Sequence, residues 1–204
     1  MLELLIVIGV LAVVAAMAIP TWQRMRQNAR LNGDAHNMSS VLSVAKMRAA
    51  ANFTESRVFF FTGTDATQYF RIDVWNKTLA CWVPDGKSSP ANTDCVNTTG
   101  TTNNETFLST GVGAGFGSAT TAPDGTSATA QASQCKQGQS LPTATDGSTI
   151  SNTSCIQFNS RGFPTASAGF YITDGTRVYG VTTNAMGLIR SYATVTTSSS
   201  WKAY

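Results

Sequence analysis

From Leu4 to Ile19 no position is charged, and nearly every residue is Leu, Ile, Val, Ala, Met or Gly. After Pro20 the pattern turns amphipathic. Met38, Val41, Leu42, Ala45 and Ala49 recur at helical spacing, while Asn37, Ser39, Ser40, Ser43, Lys46 and Arg48 fill the other side. One helix is predicted from Met1 to about Ala50, ~75 Å long at 1.5 Å per residue. Its second part is built to dock on a sheet, and its first part projects unsupported. Gly9 and Pro20 weaken it, the glycine through backbone entropy and the proline through a missing donor. Ala15, Ala16 and Ala18 favour helix across that weak stretch.

Beyond the helix the period shortens to that of strands. "SRVFFF" is followed by "QYFRIDVW", in which Phe70, Ile72 and Val74 alternate with Tyr69, Arg71, Asp73 and Trp75. "LACWV" comes next, joined through a hairpin at Asn76-Lys77-Thr78. A second block holds "SCIQFNSRGFP", "AGFYIT", "TRVYGVTT" and "GLIRSYATVT", with Asp174-Gly175 as a hairpin turn. Between the blocks, Pro84 to Ser151 is rich in Gly, Ser, Thr, Asn and Ala. Phe107, Leu108, Phe116, Leu141 and Ile150 are its candidate anchors, and a tract this long is either functional or surface decoration. The fold class is therefore α+β, a long N-terminal helix packed on an antiparallel sheet. Residues 1–50 form the helix, with 1–20 as membrane anchor or assembly core and 21–50 as the packing part. Residues 51–204 form a β-rich head with an insertion over 84–151.

Charge and candidate chemistry narrow the function by exclusion. Only 12% of residues are charged and the formal net charge is +3, with no dense Lys/Arg cluster of the kind nucleic-acid binders carry. The one histidine, His36, lies on the predicted helix among small polar residues, so no nucleophile has an evident base. The aspartates are scattered through turns without a calcium-loop pattern, and no glycine-rich segment sits between a strand and a helix. No catalytic residue, metal site or cofactor is expected.

Cys81, Cys95, Cys135 and Cys155 include no C-x-x-C spacing. An even number in an exported domain argues for disulfides rather than zinc. Of three connectivities, Cys81–Cys95 with Cys135–Cys155 closes the shortest loops and clips each end of the insertion to a strand. Asn-X-Ser/Thr triplets begin at Asn37, Asn52, Asn76, Asn97, Asn104 and Asn152. Asn76, Asn97, Asn104 and Asn152 are the candidates for glycosylation.

Glu3 stands at the edge of the apolar run, where an ionised carboxylate costs a few kcal/mol unless it reaches headgroups or a cation. A cleavable signal would begin with positive charge, and no Lys or Arg precedes Arg24. A simple anchor would place Arg24, Arg26 and Arg30 on the cytoplasmic side, against an exported domain downstream. The stretch "LELLIVIGVLAVVAAMAIP", with a glutamate, an apolar run and a proline in register, resembles the N-terminal helix of the type IV pilin superfamily. That resemblance implies that Glu3 pairs with the amino terminus of a neighbouring subunit as helices bundle into a filament, and that the segment before Pro20 unwinds locally there. It also implies that a short leader and two mature residues precede Met1. Further on, "IQFNSRGFP", "YITDGTRVYGVTT" and "GLIRSY" are similar to GspH/FimT-type pilins, with Phe158, Arg161, Gly162, Gly187 and Arg190 matching. The insertion has no counterpart in that pattern.

The expected function is that of a structural subunit of an extracellular type IV pilus-like filament, held in the inner membrane before assembly. Its partners are identical subunits and other pilins. The alternatives are a low-copy tip, priming or DNA-binding subunit and a type II secretion pseudopilin. For DNA the chain offers Arg177, Arg190 and Lys202 near its end, a thin set, with Leu188 and Ile189 where a basic pair would be expected.

Overall fold

The computed structural model describes residues 2–63, 68–86, 95, 104–115, 123, 131–137, 147–198 and 200–203. Helix α1 runs unbroken over Leu2–Asn52, through Gly9 and Pro20. The strands are β1 (Ser56–Phe61), β2 (Tyr69–Asn76), β3 (Cys81–Pro84), β4 (Thr106–Phe107), β5 (Gly113–Ala114), β6 (Thr153–Phe158), β7 (Ala168–Thr173), β8 (Arg177–Thr183), β9 (Ile189–Val195) and β10 (Lys202–Ala203). They form two antiparallel sheets rather than one. The first runs β3-β2-β1-β6, with β4 also paired to β2; the second runs β10-β9-β8-β7-β5. Helix α1 touches strands of both.

The docking stripe is longer than the sequence pattern suggested. Leu31, Ala35, Met38, Leu42, Ala45 and Ala49 are all fully buried, spaced alternately four and three residues apart so that they hold one face of the helix. Three alanines among them let the sheets approach the helix backbone closely. Val58, Phe60, Phe70, Ile156 and Phe158 meet this stripe from the first sheet, and Phe170, Ile172 and Val181 from the second. Phe60 and Phe170 bridge the sheets edge to face, their ring centroids 5.4 Å apart.

The other face of the first sheet is buried as well. In register across it, Arg57 stands opposite Asp73 and Phe59 opposite Arg71. Arg57 Nε donates to Asp73 Oδ2 at 2.9 Å and Arg71 Nε to Asp73 Oδ1 at 3.0 Å. Arg71 also reaches Glu105 at 3.3 Å, and Arg57 donates to the Lys136 carbonyl at 2.6 Å. All four charged side chains are at most 2% exposed. Two guanidinium groups and two carboxylates balance. The cations also stack on rings, Arg57 over Trp82 at 4.4 Å and Arg71 over Phe59 at 4.3 Å. Burial pulls the Arg57 guanidinium down to about 10 against the opposing pull of Asp73, which leaves it charged at neutral pH.

Glu105 and Lys136 belong to the insertion, so part of that tract is a cover over this face. Its hinges are covalent. Cys81 pairs with Cys95 and Cys135 with Cys155, at Cα separations of 5.6 and 4.9 Å. Of the five expected anchors, Ile150 is buried against Phe59, Tyr69 and Cys135, and Leu108 packs on the main core. Phe107 is half exposed beside Tyr69; Phe116 and Leu141 lie outside the described residues. A further anchor is polar: the buried Asp34 carboxylate accepts the Ser109 N–H at 2.9 Å and its hydroxyl at 3.0 Å.

Both expected hairpins form. The β2–β3 turn is one residue longer than expected, because Asn76 pairs with Cys81 and its side-chain Oδ1 accepts the N–H groups of Thr78 and Leu79. Between β7 and β8, Gly175 takes φ 86°. Partial burial raises the Asp174 carboxyl, but hydrogen bonds from the Arg177 and Thr176 N–H groups and the Thr176 hydroxyl outweigh this and hold it below its usual range.

Two predictions follow from this packing. Asp73→Ala leaves two buried guanidiniums without their shared carboxylate and should lower the unfolding free energy by roughly 3–5 kcal/mol, read by chemical denaturation. Because the folded Asp174 pKa is depressed, its contribution is full at neutral pH and is lost as pH falls through the acid end of the carboxylate range. Melting temperatures of wild type and Asp174→Asn should therefore converge on acidification.

Candidate functional site

The largest feature that the fold does not use is the first half of α1. Ile6, Val7, Ile8, Val10, Leu11, Val13, Val14, Met17 and Ile19 are each more than half exposed. At 100° per residue these side chains point all round the axis. A helix that is apolar on every side has no solvated face to offer and belongs in a membrane or a protein core. By length and composition it can cross a membrane, and none of its apolar window is buried against the rest of the chain. Trp22 and Met25 extend the exposed surface at 61% and 65%. The Arg26 guanidinium lies 4.9 Å over the Trp22 ring. Arg30 then reaches the Thr110 carbonyl at 3.4 Å, where the head begins.

Glu3 lies in the first turn of this segment, and Pro20 lies in the interior of the helix. Of both, the structure describes the backbone alone. The local unwinding that the pilin resemblance implied before Pro20 is absent from this single chain; Ala15, Ala16 and Ala18 carry the helix through. A Cβ at Gly9 would meet nothing within 4 Å. Nothing among the described residues therefore requires glycine at this position.

Two of the resemblance residues near the end of the chain come together at the other end of the helix. Gly162 (φ 79°) and Gly187 (φ 74°) meet beside Lys46. A Cβ at Gly162 would come within 3.1 Å of the Lys46 carbonyl, and one at Gly187 within 3.4 Å of Pro164. Lys46 Nζ donates to the Gly187 carbonyl at 2.9 Å. Phe158 is a core residue packed under the helix, whereas Arg161 and Arg190 are exposed.

The cations considered for DNA are divided. Arg177 and Lys202 line one groove of about 360 Å³ with Tyr179. Arg190 pairs with Thr182, an odd number of positions from Tyr179, and so occupies the opposite sheet face. Among the described residues no continuous basic strip results. His36 is exposed on α1, and among the described residues no three His, Cys, Asp or Glu gather to hold a metal ion. Among the glycosylation candidates, Asn152 is exposed with φ 55°, Asn104 is exposed and donates to the Asp85 carbonyl, and Asn76 is half-buried in its turn. Asn97 lies outside the described residues.

Sequence reasoning missed two places. The first is the ionic cluster, whose signal was present as Arg57, Arg71 and Asp73 at strand positions of one parity. The second is Phe53, the residue just past α1. There the Thr54 N–H closes back on the Ala49 carbonyl at 3.3 Å, a helix end that ordinarily takes glycine. Phe53 adopts φ 47° and is 76% exposed.

Comparison with protein-family models, curated proteins and solved structures finds no match to this chain.

Gly9→Ala tests what surrounds the projecting helix. In isolated chains in detergent it should add about 0.5–1 kcal/mol of helix stability, measured by thermal circular dichroism. Where a neighbouring helix approaches Gly9 closely, the same change should instead weaken association.

Proposed function

We propose that this chain is a structural subunit of an extracellular type IV pilus-like filament, anchored in the inner membrane before assembly. One observation carries the reading: a single 51-residue helix is buried in the head along its second half and exposed and apolar all round along its first. Membrane before assembly, and the helices of other copies afterwards, are the two environments that such a segment needs in turn. The α+β head, with the helix laid across antiparallel sheets, agrees with a pilin fold. The closely packed Gly162–Gly187 contact gives the GspH/FimT-type motif a packing reason. The two disulfides suit an exported head.

A low-copy tip or DNA-binding subunit is the second reading. Among the described residues the Arg177–Lys202 groove is its support, and with Arg190 on the other face it offers two cations rather than a track. A secretion pseudopilin would use the same helix and differs in copy number and cellular context.

Quantitative mass spectrometry of filaments sheared from cells tests the reading directly. A structural subunit dominates the pilin-like proteins in that fraction; a trace amount makes it a tip or priming component. Glu3→Ala should cut filament yield by about tenfold or more, as expected when one partner of a buried ion pair is removed. The melting temperature of the head should be unchanged. Normal yield from Glu3→Ala would remove the pairing role.

A further inference from the structure

Between Glu3 and Asp34 no residue of the chain is acidic. Arg24 and Arg26, just past the apolar run, are exposed and form no salt bridge among the described residues. Arg30 differs from them: it turns to the head and donates to the Thr110 carbonyl. We infer that Trp22, Arg24 and Arg26 form a collar that binds anionic lipid headgroups on the exported side of the membrane. This rests on the reading of the apolar segment as a membrane anchor before assembly.

Depth places the collar. The uncharged run from Leu4 to Ile19 is about 24 Å long at 1.5 Å per residue, about 6 Å short of a ~30 Å hydrocarbon core. Continuing to Trp22 brings the length to about 28 Å. The exposed indole therefore falls at the boundary, where an apolar ring with one polar N–H is best accommodated. Helix α1 runs unbroken through this stretch, so Arg24 and Arg26 stand about 3 and 6 Å further out, among the headgroups. A span shorter than the hydrocarbon draws its flanking residues inward, and a guanidinium on a long stem still reaches phosphate. Leu31, where burial in the head begins, lies about 13 Å beyond Trp22. The head thus clears the headgroup layer.

Angular position selects lipid over a docked protein. Trp22, Arg26 and Arg30 follow one another on successive turns of one side of the helix, with the Arg26 guanidinium 4.9 Å over the Trp22 ring. Arg24 is rotated from Trp22 and Arg26 by about 200°, onto the opposite side. A partner docking on one face would meet one of these two cations. Headgroups surround the helix and meet both. The planar guanidinium fits a phosphodiester, and a headgroup with net negative charge adds an attraction that a zwitterionic one lacks.

The purified full chain, reconstituted at high dilution in vesicles of phosphatidylcholine and phosphatidylglycerol, tests the collar. Either lipid in turn carries bromine on its acyl chains near the headgroup, where it quenches indole emission on contact. Subtracting the Trp22→Phe signal isolates Trp22 from the other tryptophans. Brominated phosphatidylglycerol should quench Trp22 as though enriched about fivefold over brominated phosphatidylcholine at the same mole fraction. That excess should disappear in Arg24→Gln/Arg26→Gln and at high salt, and persist in Arg24→Lys/Arg26→Lys. The melting temperature of the head should be the same in all of these. Equal quenching by the two lipids, or an excess that survives in the glutamine variant, would overturn the collar and leave the filament reading standing. A chain that alkaline extraction strips from the vesicles would bring down the anchor and the collar together.

Discussion

Asp73 is the residue on which the head is organised. Its two carboxylate oxygens each take one guanidinium, from adjacent strands, in a place that water does not reach. Such a group is tolerable only while every partner is present, because a lone buried charge costs several kcal/mol. Arg71 comes from the same strand, two residues away, and Arg57 from β1; the arginines in turn are held by Glu105 and the Lys136 carbonyl from the insertion. The insertion is therefore fixed to the sheet by electrostatics where it has little apolar surface to contribute. The Cys135–Cys155 bridge holds the cover in place beside this network.

That arrangement explains how a tract poor in large apolar residues closes a second core. One face of the β3-β2-β1-β6 sheet is covered by helix α1 through Leu31, Met38 and Leu42. The other is covered by chain that satisfies the charged side chains and adds a small apolar cluster, Cys135 and Ile150 against Phe59 and Tyr69. Aromatic rings fill the space between charges, with Trp82 under Arg57 and Phe59 under Arg71.

Helix α1 obeys a different rule along its length. From Leu31 onward its sequence distinguishes one face from another, and the buried face is paved with alanine so that both sheets can lie close. Along the apolar run before Pro20 no face is distinguished, and no described part of the head covers it. Where the helix ends inside the head, at Phe53, a strained and exposed aromatic replaces the glycine that helix ends prefer. The two departures from what an isolated globular chain would choose lie at opposite ends of this helix.

The helix, its division near residue 20, the main strands and both hairpin turns were legible in the residues, because period, turn chemistry and uncharged length are local properties. The preference for Cys81–Cys95 and Cys135–Cys155 came from loop length, which is also counted along the chain. Separation into two sheets was not legible: β4, β5 and β10 are two-residue strands that exist only where a neighbour supplies hydrogen bonds. Nor was burial of the polar side of β2, since alternation reports that two faces differ and not that a distant insertion covers the second. Arg71 and Asp73 read locally as a solvated face. Residue order alone specifies a helix that is amphipathic along its second half and has no polar face along its first. Which charges are buried together, and that Phe53 faces outward, depend on residues brought close by folding rather than by order in the chain.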